Sequence, residues 1–185
     1  MKTKKINGKT YKILVTRQEI IIKVREIAKQ IISDFKDIPE PPVLLFVLTG
    51  GIYFGDDLSQ ELDEAEFQHS VDTVGLKRYA GDENGGLVTM TSLPRTNLGG
   101  KNIIVIEDVV DIGETINFLN IFLKNLEHAP KSIKYCAMLL KEHHKELNFT
   151  INYLGWRIGS PWIVGKGMDS NGLFRGLKDL WVCID

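Results

Sequence analysis

Apolar positions follow two rhythms along the chain. Ile20, Val24, Ile27, Ala28, Ile31 and Ile32 recur at helical period, and Thr16-Arg17-Gln18-Glu19 ahead of them has capping-box spacing, which predicts a first helix. Val43 to Leu48, Ile103 to Ile106 and Ser132 to Leu140 are instead short, nearly unbroken apolar runs, the last ending at Lys141. Such runs read as strands buried on both faces, as in a parallel sheet. The first two are each followed by a glycine-bearing turn and a helical pattern: Ile52 to Leu62 after Thr49-Gly50-Gly51, and Ile116, Leu119, Ile121, Phe122 and Leu126 after Asp111 to Thr115. Three prolines between Asp37 and Pro42 break the chain ahead of the first of these units. Alternating strands and helices predict an α/β fold with a central, mainly parallel sheet flanked by helices. Phe67 to Tyr79 and Leu87 to Ser92 read as paired strands around a flexible, Gly/Asp/Asn-rich tip at Ala80 to Gly86.

Composition narrows the function classes. At 185 residues, 43% hydrophobic and 25% charged, the chain suits one domain over residues 1–185, with a sizeable core. A formal charge of −1 gives no bulk attraction to nucleic acid or to anionic membranes, so neither is expected as a partner. Met1 to Lys9 is basic without the apolar core of a secretory signal, and no apolar run has membrane-spanning length, so a cytoplasmic protein is expected. Cys136, inside an apolar run, and Cys183, near the tail, read as reduced thiols.

The stretch Asn102 to Ile116 holds the densest candidate chemistry. Its apolar run is predicted to end where Glu107 and Asp108 begin; Asp111, Gly113 and Thr115 then lead into a helix. Unpaired N–H groups and a positive dipole end make such a loop suited to a phosphate, with Gly113 allowing close approach and the Thr115 hydroxyl donating. Glu107 and Asp108 could accept from vicinal sugar hydroxyls or orient hydrated Mg²⁺, with Asp111 facing the ligand beyond the phosphate. An ordinary strand-helix unit with a polar loop is the alternative. Thr49-Gly50-Gly51 is either a simple turn or an anion nest. Lys141, at the end of a strand, could donate to a ligand carbonyl or reach into solvent. Glu142-His143-His144-Lys145 reads as a solvated turn, not a metal site. Trp162 suits a core or a ligand's flat face, and Asp169 before Ser170-Asn171-Gly172 suits a turn.

Ile104 to Thr115 resembles the phosphoribosyl pyrophosphate (PRPP) motif of purine phosphoribosyltransferases, in the Glu-Asp form of the hypoxanthine-guanine enzymes. Tyr153 to Ile158, Trp162-Ile163-Val164-Gly165, Asp169 and Phe174-Arg175, spaced appropriately from Lys141, resemble that family's C-terminal signature, so the resemblance covers residues 10 to 185. It implies a type I phosphoribosyltransferase fold with a small hood from the N- and C-terminal segments and a flexible β-hairpin loop. The implied reaction transfers 5-phosphoribosyl from PRPP to hypoxanthine or guanine, giving IMP or GMP and pyrophosphate, with Mg²⁺, in a homodimer or homotetramer. By the same resemblance Asp111 is the general base, and Glu107, Asp108, Ile112, Gly113, Glu114 and Thr115 bind the ribose phosphate of PRPP. Thr49, Gly50, Gly51 and Arg175 take pyrophosphate, through a loop that can contain a cis peptide at Leu48, Thr49 or Gly50. Lys141, Trp162, Ile163 and Asp169 surround the purine, Tyr79 closes the loop, and Glu107, Asp108 and Asp169 face metal.

The chain departs from the family at four places. Thr49 stands where Lys is common, Arg78 where Ser precedes the loop Tyr, Ile112 where Thr or Ser is usual, and Glu114 where a neutral or basic residue is frequent. Ile112 removes a hydroxyl donor, and Glu114 either repels the phosphate or turns outward. The rival reading is a non-catalytic regulator that senses PRPP or nucleotides and binds RNA.

Overall fold

The computed structural model describes residues 3–78, 87–142 and 147–185. Among them the order is β1 (Thr3–Ile6), β2 (Lys9–Val15), α1 (Arg17–Phe35), β3 (Val43–Leu48), α2 (Gly51–Glu64), β4 (Ser70–Arg78), β5 (Val88–Ser92), β6 (Asn102–Val110), α3 (Glu114–Lys124), β7 (Ser132–Lys141), β8 (Tyr153–Ile158), β9 (Ile163–Val164) and β10 (Leu180–Cys183). The expected capping box starts α1: the Glu19 N–H donates to Thr16 Oγ1 at 3.3 Å and the Thr16 N–H to Glu19 Oε2 at 2.8 Å. Its predicted stripe is buried, except Ile32, which is only partly covered.

Six strands form the main sheet in the order β5-β4-β3-β6-β7-β8, parallel except for the antiparallel edge pair β4 and β5. The strand period of two sorts β6 between two cores. Ile104 and Ile106 pack with α1 and α2, while Ile103 and Val105 pack with α3. This is why the central runs are continuously apolar: both faces are covered.

Three boundaries differ from expectation. Strand β6 does not stop at its acids but continues to Val110, because β7 pairs with it as far as Val110 opposite Leu140. Strand β4 begins at Ser70 rather than Phe67, whose N–H is bonded to Leu62 O at the end of α2. In α3, Ile116, Leu119 and Leu123 are buried, whereas Ile121 is turned outward and Leu126 lies beyond the helix. Tyr79, the loop tip Ala80 to Gly86, and His143 to Lys145 fall outside the described residues.

A second, four-stranded antiparallel sheet, β1-β2-β10-β9, joins the two chain ends as the hood that the resemblance implies. Its first hairpin turns at Asn7-Gly8, with φ of 48° and 79°, the pair of positive angles that a two-residue type I′ turn requires. That Asn-Gly signal was open to sequence reading, which noted only the segment's charge. Ile6, Tyr11, Val164 and Trp181 form the hood's own core. Among the described residues no helix is long and apolar enough to cross a membrane.

Candidate active site

Because β3, β6 and β7 are parallel, their carboxyl ends and the segments that follow share one end of the sheet, where open α/β sheets bind ligands. Glu107 and Asp108 lie within the last turn of pleat of β6 rather than after it, each only 7% exposed. Alternation sends them to different neighbours. Glu107 lines a cavity of about 220 Å³ with Arg78 and the loop from Asp111 to Thr115. Asp108 faces the loop after β3, where a Cβ on Gly50 would sit 2.2 Å from its Oδ2.

Burial pushes the Glu107 carboxyl well above the usual range, and the neighbouring Asp108 charge adds to it. Burial also raises Asp108, opposed by the side chain of Glu107, by the Val109 N–H at 2.9 Å and by the charge of Arg175. Glu107 Oε2 is buried and has no hydrogen-bond partner among the described residues. A buried oxygen of this kind favours a donor or a cation beside it.

The loop after β6 presents the start of α3. Gly113 holds φ at 80°, and a Cβ there would also approach Leu147 to 2.8 Å and Phe149 to 3.0 Å, so glycine is required twice over. Among the described residues no side chain caps α3, which leaves its first N–H groups facing the cavity, an arrangement suited to an anion. Glu114 does not simply turn outward: its Oε2 lies 3.0 Å from Arg78 Nε. Ile112 lines the same cavity through a residue without a side-chain donor.

On the Asp108 side, the Leu48–Thr49 peptide is cis, one of the positions expected, and Gly50 and Gly51 lead into α2. Gly167 completes this cluster. A Cβ on it would stand 2.2 Å from Gly50 O and 3.1 Å from Asp108 Oδ2, and its own carbonyl accepts from Arg175 Nη1 at 2.5 Å. Lys166 fixes the turn to α2 through an ion pair with Asp57. Arg175 Nη2 meets Asp169 Oδ1 at 2.6 Å, while Asp169 Oδ2 accepts from the Gly172 N–H at 2.6 Å. Asp169 is thus both the turn former and a partner of Arg175. Sequence reasoning passed over Gly167; its available signal was the Gly165-Lys166-Gly167 alternation.

Lys141, at the end of β7, reaches across to Asp111: Nζ to Oδ2 is 3.1 Å. Trp162 is 59% exposed, so it is not a core aromatic, and Ile163 beside it is buried in β9. Thr49 has an exposed side chain. A larger cavity of about 430 Å³ lies between α3 and the start of β7, but it touches none of these carboxylates or loops. The unsatisfied acid and open helix start make the smaller one the candidate site.

A family model described as phosphoribosyl transferase domain matches residues 10–155, from β2 through β8. The chain belongs to the phosphoribosyltransferase family. This phosphoribosyltransferase is 31% identical over 168 residues to the hypoxanthine-guanine-xanthine phosphoribosyltransferase of Tritrichomonas foetus, covering 90% of this chain and 87% of that one. It is 27% identical to the hypoxanthine-guanine phosphoribosyltransferase of Aquifex aeolicus, over 98% of this chain and 99% of its relative. A crystal structure of a hypoxanthine-guanine phosphoribosyltransferase from Bacillus anthracis, with HEPES in the active site, superposes with a TM-score of 0.82 at 30% identity, covering 94% and 97% of the two chains.

Proposed function

We propose that this phosphoribosyltransferase acts in purine salvage, transferring the 5-phosphoribosyl group of PRPP to hypoxanthine or guanine and releasing pyrophosphate with IMP or GMP. The observation that carries the choice of base is the Lys141–Asp111 pair, an ammonium 3.1 Å from a carboxylate at the mouth of the phosphate loop. A 6-oxopurine presents its O6 acceptor next to ring nitrogen N7. Lys141 donates to O6, Asp111 accepts the proton from the ring nitrogen, and the base inserts where the two side chains now meet each other. An amino purine would set its own donor against the ammonium. The exposed face of Trp162 provides the stacking surface, and the Ile163 backbone meets the base edge.

The sugar phosphate occupies the cavity beside α3. Its phosphate takes the N–H groups from Ile112 to Thr115, and its hydroxyls supply the donor that Glu107 Oε2 lacks. Pyrophosphate leaves toward Thr49, Gly50, Gly51 and Arg175. As the bond to the anomeric carbon breaks, ribosyl gains positive character, which Glu107 and Asp108 stabilise from below.

Mg²⁺ fits these residues on one observation: Glu107 offers a buried oxygen without a partner among the described residues. An ion arriving with substrate phosphates would share one or two protein carboxylates, drawn from Glu107, Asp108 and Asp169. Bound there, it would neutralise the leaving pyrophosphate. The water-excluding role of Tyr79 rests on the resemblance alone. We place the enzyme in the cytoplasm, where its unpaired thiols Cys136 and Cys183 stay reduced, as a homodimer or homotetramer that light scattering would identify.

Mixing protein, Mg²⁺, PRPP and hypoxanthine should give the absorbance change of nucleotide formation, and kinetics with each base would rank hypoxanthine, guanine and xanthine. PRPP binding without turnover would overturn the reading in favour of a nucleotide-sensing regulator.

A further inference from the structure

Two residues at which this chain departs from its family's pattern meet across the phosphate cavity. Arg78 ends β4 and Glu114 opens α3; Nε and Oε2 are 3.0 Å apart, and both residues line the cavity of about 220 Å³. Glu114 Oε2 is buried and accepts no aligned hydrogen bond among the described residues, where the guanidinium meets it by charge. Glu107, 7% exposed, brings a second unpartnered Oε2 to the same cavity.

A carboxylate at a helix start competes for the place of a phosphate. With ~7 Å between charges and an effective dielectric of ~40, Glu114 alone would weaken binding about seven-fold per unit of phosphate charge. The loop also lacks a side-chain donor at Ile112. Arg78 answers both deficits. Its Nε lies against Glu114, and a guanidinium carries four further N–H groups on its two Nη atoms. These match phosphate oxygens in pairs.

We propose that Arg78 is a phosphate-binding residue for the substrate's 5-phosphate, held at the loop by Glu114, whose charge it cancels. The pair replaces the hydroxyl donor missing at Ile112 with a cation from the neighbouring strand. This rests on the reading of the α3 loop as the site of the PRPP phosphate.

The test compares IMP with inosine, which differ by the phosphate alone, in wild type, R78M, E114Q and the double variant, alongside the KM for PRPP. R78M should weaken IMP and PRPP about ten-fold or more, the worth of a charge-assisted hydrogen bond, and move inosine less than about two-fold. E114Q should tighten both phosphorylated ligands several-fold, more at low ionic strength. R78M/E114Q should regain only the part of the loss owed to Glu114's uncancelled charge and stay weaker than E114Q for IMP and PRPP, because no guanidinium donor remains to meet the phosphate. Unchanged IMP affinity in R78M, equal losses for IMP and inosine, or a double variant as tight as E114Q would each overturn the proposal. Should R78M fail to fold, R78Q takes its place and is judged by the same outcomes. Wild-type protein that binds ribose 5-phosphate but neither IMP nor hypoxanthine would sink only the purine reading, and Arg78 would then be judged on ribose 5-phosphate.

Discussion

At the amino end of β6, Asn102 is 2% exposed and both of its side-chain polar atoms have a partner: Nδ2 donates to Glu40 O at 3.3 Å and Oδ1 accepts from Ser132 Oγ at 2.8 Å. At the carboxyl end of the same strand, Glu107 and Asp108 are almost as hidden, yet they are neighbouring acids, and one Glu107 oxygen has no partner among the described residues. Burial is therefore similar at both ends while satisfaction is not. Folding alone rewards the first arrangement and penalises the second. The contrast teaches that hiding a polar side chain and satisfying it are separate matters, and among the described residues the two part within the length of one strand.

The largest effect expected at the unsatisfied end is catalytic. Asp111→Asn keeps the shape and removes the proposed base, so turnover with hypoxanthine should fall about 10²- to 10⁴-fold with little change in binding. Near-normal turnover would deny Asp111 its role. Lys141→Gln should weaken 6-oxopurines by on the order of 1.5–3 kcal/mol, read by titration, and leave PRPP nearly untouched. Equal losses for both substrates would make Lys141 scaffold.

Stability should respond with opposite signs at the two ends. Asn102→Ala strands the Ser132 hydroxyl and should cost about 1–3 kcal/mol in denaturant unfolding without altering turnover. Glu107→Gln removes a buried carboxylate beside another and should leave the ligand-free protein more stable by about 1 kcal/mol while PRPP binding weakens. A loss of stability in both variants would erase the distinction.

The smallest effect lies away from both ends. Asp34 accepts from Lys134 at 2.6 Å and from Tyr153 at 2.7 Å, and these bonds, Lys134 first, hold its carboxyl below the usual range. A lowered folded pKa gives stability that is present above the unfolded value of about 3.9 and lost as pH falls through the folded value. Asp34 is 44% exposed, so screening limits the contribution to about 0.2–1 kcal/mol. Asp34→Asn should lower the melting temperature slightly at pH 7 and converge with wild type in acid.

The sequence by itself determined what depends on neighbours along the chain. Helix α1 with its Thr16–Glu19 box, the apolar centres of β3, β6 and β7, and the α/β alternation all follow from period and capping, which act within a few residues. That the acids, Gly113 and Thr115 lie close together was legible for the same reason: they share a single strand-loop-helix element. Tertiary structure decided the rest. Strand β6 runs on through Glu107 and Asp108 because β7 supplies partners that no local pattern encodes. Gly167 could be seen as essential only once its turn lay against Gly50 and Asp108. Trp162 could have packed in a core or stood exposed, since an aromatic residue carries no record of its side of the surface. Arg78 and Glu114 looked like two unrelated departures until the sheet and α3 set them 3.0 Å apart. Such pairings join residues far apart in sequence, and only the register of the sheet and the packing of helices on it determine which of them meet.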